Sequence, residues 1–427
     1  MAEQLNSKNL RSAWRRFRER SPWKSLALIF ALIGPGIITS NVDNDAGGIT
    51  TYSLAGAEFG LSLLWILFPV TIALIVIQEM CARMGAVSGK GLSDLIRERF
   101  GAKTTFYLMF FLLLTNLGNT ISEFAGVAAS MEIFGLSKYV SVPMASFFVW
   151  WLVVKGSYKS VEKVFLAACL FYLSYIVSGF MGKPDWQVVG TALVKPTIRF
   201  DPAFLTMAVG IVGTTIAPWM QFYLQSSVVD KGLKAEDYQY ARMDVIVGSF
   251  MVNIVAFFII MLCAITLFQN GIRIETARDA ALALAPLAGD YCSWLFAFGL
   301  LNASLFAASI LPLSTAYTVC EAFGWESSLN RKFVEAPQFY GLYTVMIFLG
   351  AGIILFPNMP LISIMYYSQV INGMLLPFIL IFMLLLINDR RIMGDHVNGR
   401  FMNAITWLTV VVLIMLSGAM VVTTLIG

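Results

Sequence analysis

Residues 34–48 read GPGIITSNVDNDAGG and interrupt the first long apolar run of the chain. Apolar residues fill positions 26–33 before this stretch and resume at Ile49, so Asp43 and Asp45 fall near the middle of a membrane-length segment. Charge at that depth is costly and marks a functional site by default. Gly34, Pro35, Gly36, Gly47 and Gly48 weaken the helix around it. A broken helix frees backbone carbonyls, which a bilayer tolerates only where they line a cavity or meet a ligand. The stretch therefore reads as half of a cation site.

The rest of the chain supplies the setting. Of 427 residues, 58% are hydrophobic and 13% charged, whereas a soluble domain carries about a quarter charged residues. This is the composition of an all-α, multi-pass membrane protein. Apolar spans of roughly 20 residues are expected at about 26–55 (broken), 61–84, 105–134, 141–157, 161–181, 203–229 (broken), 244–268, 290–320, 339–356, 361–387 and 403–426, eleven in all. The first span follows a polar, basic stretch and lacks a small-residue cleavage site, so it is expected to be retained.

With the N-terminus inside, most of the 29 Lys and Arg residues fall in cytoplasmic segments, which satisfies the positive-inside rule and places the C-terminus outside. Residues 1–24 form a cytoplasmic basic segment, and 25–427 a single transmembrane domain with no linker dividing it. The setting is a cell membrane, of prokaryotic type. A net charge of +4 calls for no nucleic-acid partner.

A second interrupted span reads AVGIVGTTIAPWMQFYLQSSVVD over 208–230. Its Gly210, Gly213 and Pro218 match the breaks of span one, five spans earlier. An odd separation inverts the second half relative to the first, and paired broken spans point to a transporter site between inverted repeats. The repeats run over about 25–181 and 203–387, with an extra helix at about 403–426.

Asp45 is the leading ion ligand, a formal charge beside free carbonyls, as a hard cation requires. It equally suits the N-cap of a half-helix beginning at Gly47, and the two roles are compatible. Asp43, Asn44 and Asn41 offer further oxygens as secondary ligands, caps or vestibule residues. In span six, Pro218 has no N–H and leaves the Thr214 carbonyl without its helical partner. Glu79 and Glu123 are the other acids deep in apolar spans; Gln78, Asn116, Asn119, Asn253, Asn302 and Gln369 are expected mainly to bond between helices. Cys81, Cys169, Cys263, Cys292 and Cys320 lack metal-site spacing and read as core residues. The one histidine, His396, lies in a polar loop. HExxH, GxSxG and Walker motifs are absent, so the chain does not read as an enzyme.

GPG at 34–36, AGAEFG at 55–60, ARMGAVSGKGLSD at 82–94, PDW at 184–186, AVGIVG at 208–213 and SQV, LPF and NDRRIMG across 368–394 together resemble the NRAMP family of divalent-metal transporters over nearly the whole chain. The resemblance implies a broken-helix, five-plus-five inverted repeat and a divalent cation as substrate. It also brings out departures. The family's Asp-Pro-Gly-Asn motif falls on Asp45, Ala46, Gly47 and Gly48, so the aspartate stays and the asparagine is lost; Asn44 is a candidate substitute. The span-six motif falls on Thr214, Ala217, Pro218 and Trp219, without its methionine and histidine. The proton-path pair falls on Thr120 and Glu123, one carboxylate of two, and Gln369 matches the span-ten glutamine near the metal.

These changes resemble the NRAMP-related magnesium transporter branch. They imply an ion held by Asp45, carbonyls near Val42 and Thr214, and Gln369, with water beside Ala217. Mg²⁺ would be carried, Mn²⁺ also, by alternating access, without tight proton coupling and by a monomer needing no cofactor. The rival readings are a proton-coupled Mn²⁺/Fe²⁺ importer, a sodium-coupled organic-solute carrier of the same fold, and a non-transporting membrane receptor or assembly protein.

Overall fold

The computed structural model describes residues 42–155, 169–329 and 331–426. The basic segment 1–24, the glycines and proline at 34–36, Asn41 and the start of the fifth expected span lie outside these residues. Among the described residues every regular element is a helix. Eight helical segments are long and apolar enough to cross a membrane: Leu64–Ser88, Leu92–Ile133, Pro202–Asp230, Tyr238–Asn270, Ala277–Phe323, Pro337–Ile354, Leu361–Ile387 and Arg400–Leu425. They cover the second, third and sixth to eleventh expected spans. Lys138–Val154, the fourth, is apolar but shorter, and spans one and five are described only in part.

The elements that position the site are α1 (Ala46–Phe59), α2 (Leu67–Ser88), α3 (Leu92–Ile133), α4 (Lys138–Val154), α5 (Leu173–Met181), α6 (Trp186–Val194), α7 (Pro202–Thr215), α8 (Pro218–Asp230), α9 (Tyr238–Thr266), α10 (Cys292–Phe323), α11 (Pro337–Ile354), α12 (Leu361–Ile387) and α13 (Arg400–Ile426). Their ends follow from local chemistry. Asp201 accepts the Phe204 N–H at 2.9 Å and Pro202 stands at the first turn of α7, where its fixed φ and missing N–H cost nothing. Gly89 closes α2 with φ 66°, its N–H bonding the Gly85 carbonyl, the left-handed cap that glycine adopts without strain. α3 begins well before the apolar span expected at 105 and bends at Gly101, φ 83°. The turn before that bend carries Arg97, paired with Asp94, and Arg99, which reaches Asp389 in the loop after α12 at 2.9 Å. In that loop the neighbouring Arg391 draws the Asp389 carboxyl down to about 2.

α3 and α10 run along each other, α12 packs on α3 and α7, and α1 lies among α9, α12 and α7. The sixth span is largely enclosed by protein, while α13 stands at the edge. Trp407, Leu408, Val411, Ile414 and Met415 of α13 and Phe106, Tyr107, Phe110 and Phe111 of α3 face outward. In water such patches would be a liability; beside lipid tails they are solvated by their own kind. The interior holds a different set: Asp43, Asn44, Asp45, Gln78, Glu79, Asn116, Asn119, Glu123, Gln369 and Asn372 are all buried. Cys81, Cys263, Cys292 and Cys320 are buried free thiols, as expected of core residues; the Cys169 side chain lies outside the described set.

Candidate metal-ion site

The chain bends at Asn44 and Asp45 between a helical Val42–Asp43 and the start of α1. Asp45 makes that start possible. Its backbone is extended (φ −73°, ψ −175°), and its Oδ1 accepts the Gly48 N–H at 2.6 Å, satisfying a donor that the first turn leaves unpaired. α1 begins at Ala46, one residue before the half-helix start read from the sequence. A second carboxylate serves the same terminus, since Glu123 Oε2 on α3 accepts the Ala46 N–H at 3.3 Å. Two acids thus meet one helix N-terminus, where the peptide dipoles favour negative charge.

The sixth span breaks opposite. α7 ends at Thr215, Ile216 leaves helical geometry, and Ala217 is extended (φ −65°, ψ 139°) as the N-cap of α8, which Pro218 opens. The Ala217 carbonyl receives the Met220 N–H and Gln221 Nε2, both at 3.1 Å, so it belongs to the new helix. The Thr214 carbonyl has only Pro218 where a helical donor would stand.

The two breaks face each other across Gly48. A Cβ placed there would meet the Asp43 carbonyl at 2.5 Å, Thr214 Oγ1 at 3.1 Å and Asp45 Oδ1 at 3.3 Å, so three oxygens from both spans converge on one α-carbon. At Gly47 a Cβ would overlap the side-chain amide of Gln369, which brings α12 onto the same turn. Asp45, Gly48, Thr214, Gln369 and Glu123 are therefore assembled together with the Asp43 carbonyl, and Val42, Asn44 and Ala217 are buried as well. Both oxygens of Asp43, Asn44 Oδ1 and Glu123 Oε1 are buried without a hydrogen-bond partner. Buried polar atoms are normally satisfied, and oxygens left open at a helix break are what a cation uses.

Thr120 and Trp219 have partners of their own. Thr120 Oγ1 bonds back to the Asn116 carbonyl at 2.9 Å and its methyl packs on Gly350 of α11. The Trp219 carbonyl accepts Ser314 Oγ at 3.1 Å and its ring lies beside Tyr223. Three contacts escaped the sequence reading. The Tyr172 hydroxyl donates to the Asn44 carbonyl at 2.7 Å, Tyr52 and Thr215 hydroxyls meet at 2.8 Å, and Asn372 bonds Gln369 at 2.8 Å. Polar residues one helical turn from a recognised one, such as Asn372 after Gln369, are the signal that was available.

Among the described residues no three His, Cys, Asp or Glu side chains gather as a metal-holding group. The donors at the breaks are oxygens: carboxylates, an amide, a hydroxyl and carbonyls. The nearby thioether of Met365 accepts the Thr50 hydroxyl at 3.5 Å. Such a set matches hard cations that take oxygen ligands.

The profile of the Natural resistance-associated macrophage protein-like (Nramp) family matches residues 36–423. The divalent metal cation transporter MntH of Deinococcus radiodurans is 28% identical over 407 residues, covering 91% of this chain and 89% of that protein. MntH of Bacillus subtilis is 24% identical over 409 residues, 93% of each. The crystal structure of an Eremococcus coleocola manganese transporter, in complex with an aromatic bis-isothiourea substituted compound, superposes with a TM-score of 0.76 at 21% identity, over 93% of this chain and 86% of that one. MhsT in complex with L-phenylalanine gives 0.59 at 15% identity, over 91% and 97%. These likenesses place the fold among broken-helix transporters, and the extent of the family match establishes that the chain belongs to the Nramp family.

Proposed function

We propose that this protein carries divalent metal cations across a membrane by alternating access, that Mg²⁺ is its principal substrate with Mn²⁺ also accepted, and that transport is not tightly coupled to protons. Divalent-cation transport rests on the family and on the oxygen cluster at the two helix breaks. The ion would be held by Asp45, Gln369 and carbonyls near Val42 and Thr214. Asp43, Asn44 and Gly48 would form the approach, and the two repeats would rock about the site.

The preference for Mg²⁺ is carried by Ala217. It stands where the family has a thioether, and a thioether favours softer transition metals over Mg²⁺ and Ca²⁺. Mg²⁺ dehydrates reluctantly and keeps several waters, for which a methyl side chain leaves room. Weak proton coupling follows from Thr120 and Trp219, which stand where the resemblance puts the family's titratable positions and carry side chains that do not titrate near neutrality.

The deciding experiment is uptake into proteoliposomes under an inward Mg²⁺ gradient, with Mn²⁺ and Ca²⁺ compared. Saturable Mg²⁺ entry that Mn²⁺ inhibits is expected. Mn²⁺ entry without Mg²⁺ entry would return the chain to the transition-metal importers. The organic-solute reading is disfavoured by the buried carboxylates of Asp43 and Asp45, which would repel a substrate anion.

A further inference from the structure

Behind Gln369 lies a chain of amides that the ion site does not by itself require. Asn372 Nδ2 donates to Gln369 Oε1 at 2.8 Å and to Asn119 Oδ1 at 3.0 Å, and Asn119 Nδ2 donates back to Asn372 Oδ1 at 3.0 Å. All three side chains are 0–1% exposed. The chain runs from α12, over Gly47 of α1, to α3, where Asn119 stands one turn before Glu123.

The direction of these bonds bears on the ion. Because its carbonyl is held by Asn372, Gln369 turns its NH₂ toward Gly47 and donates to Ser368 Oγ at 3.3 Å. A cation beside Asp45 needs the opposite end of that amide, the oxygen. Turning Gln369 alone would set its NH₂ against the NH₂ of Asn372, donor against donor in a buried place, which hydrogen-bonded networks do not tolerate. An amide has two ends of similar size and opposite hydrogen-bonding sense. If all three turn over together, every bond within the ladder survives: Gln369 Nε2 and Asn119 Nδ2 donate to Asn372 Oδ1, and Asn372 Nδ2 donates to Asn119 Oδ1.

We propose that Asn372 and Asn119 are positioning residues for the transported ion, forming with Gln369 an amide ladder of two registers that turns over when the Gln369 carbonyl binds the metal. The inference rests on Gln369 being a ligand. In the turned register the Gln369 oxygen takes the place of its NH₂ beside Gly47 and Ser368 Oγ, where a cation beside Asp45 can use it. Of the two registers, only the turned one presents the Gln369 oxygen to a cation beside Asp45. A ligand shifts such an equilibrium by its differential affinity for the two states. The polar ladder thereby carries ion occupancy from span ten to span three.

The test is a double-mutant cycle on metal binding by calorimetry and on uptake KM, using Mg²⁺ and Mn²⁺ with full-length protein. Asn372→Ala is expected to raise Kd and KM by about three- to tenfold, because a Gln369 side chain that the ladder no longer holds must be immobilised at the ion's expense, with little change in maximal rate. In a Gln369→Ala background the same substitution should add nothing, because the ladder acts only through Gln369. Additive losses, or an unchanged Kd in Asn372→Ala, would overturn the ladder while leaving the site intact. An unchanged Kd in Gln369→Ala itself would instead remove Gln369 from the ligands. Should Asn372→Ala fail to fold, Asn119→Ala runs the same cycle, with the same non-additivity expected and the same additive outcome counting against it.

Discussion

Asp45 Oδ1 accepts the Gly48 N–H at 2.6 Å, so one carboxylate both starts α1 and brings charge to the bend before it. The two roles separate by substitution. Asparagine caps a helix about as well as aspartate but has no charge to offset the dehydration of a doubly charged ion. Asp45→Asn is expected to keep the wild-type melting temperature and to lose saturable uptake. Asp45→Ala should lose uptake and also about 1 kcal/mol of stability through the missing cap. Thermal unfolding in detergent and metal uptake measured on the same preparations check both statements. Wild-type uptake by Asp45→Asn would move the ion elsewhere. Asp43→Ala should do less than Asp45→Ala, and an equal loss would reverse their order.

Glu123 bears on proton coupling. Its Oε2 accepts the Ala46 N–H, a bond that a glutamine carbonyl reproduces without a titrating group. On the uncoupled reading, Glu123→Gln retains metal uptake, and wild-type protein moves no protons with the metal. A pH dye trapped in proteoliposomes reads the second point directly. Acidification that grows with metal concentration, and that vanishes in Glu123→Gln, would show that this one carboxyl carries the proton.

A buried ion pair within α2 is tied to the loop before α13. Arg83 Nη2 lies 3.1 Å from Glu79 Oε2, and its Nη1 donates to the carbonyls of His396 and Val397 at 3.0 and 3.2 Å. Asn398 and Tyr238 complete the network from either side. Removing one member of a buried pair leaves a charge uncompensated and costs about 3–5 kcal/mol. Arg83→Met should therefore lower the melting temperature sharply. The double variant Arg83→Met/Glu79→Gln should recover part of the loss, because glutamine keeps an acceptor for Tyr238 without the charge. A double variant no more stable than Arg83→Met would show that the cation's bonds to the loop carbonyls, not the ion pair, carry the stability.

The sequence was most legible where hydrophobicity and backbone chemistry speak locally. The apolar spans, the interruption of the sixth and the role of Pro218 follow from composition and from a missing N–H. Contacts between distant segments were less so. Glu123 and Ala46 are 77 residues apart, and nothing in either span alone says that one caps the other. The resemblance sets Gly48 against an asparagine, a departure that the sequence alone leaves without a cause. The structure supplies one, since a Cβ there would meet the Asp43 carbonyl at 2.5 Å, and a backbone oxygen held in a bend does not yield as a side-chain tip would. α3 extends N-terminally beyond the expected span, past the Gly101 bend, because its first turns carry charged residues that hydropathy does not count as membrane-spanning.

Selectivity is tested at Ala217. The residue is 2% exposed and caps α8 with an extended backbone that any side chain adopts, so Ala217→Met introduces no backbone strain. The added thioether would stand beside the oxygen cluster and fill volume that, on the proposed reading, holds the waters of a partly hydrated Mg²⁺. Sulfur gains little from Mg²⁺ or Ca²⁺ and more from Mn²⁺ and Cd²⁺. The expected outcome is tighter Cd²⁺ and Mn²⁺ binding by about tenfold, the worth of roughly 1.4 kcal/mol, together with weaker Mg²⁺ uptake. Calorimetry with each ion and competition of Mg²⁺ uptake by Cd²⁺ check the two directions separately. Ala217→Leu serves as the control, because it fills the same space without a soft donor: it should lose Mg²⁺ uptake and gain no Cd²⁺ affinity. If Met and Leu behave alike, volume alone sets the preference. If neither changes the ratio of Mg²⁺ to Mn²⁺ transport, Ala217 does not line the ion's position and the argument from the missing thioether fails.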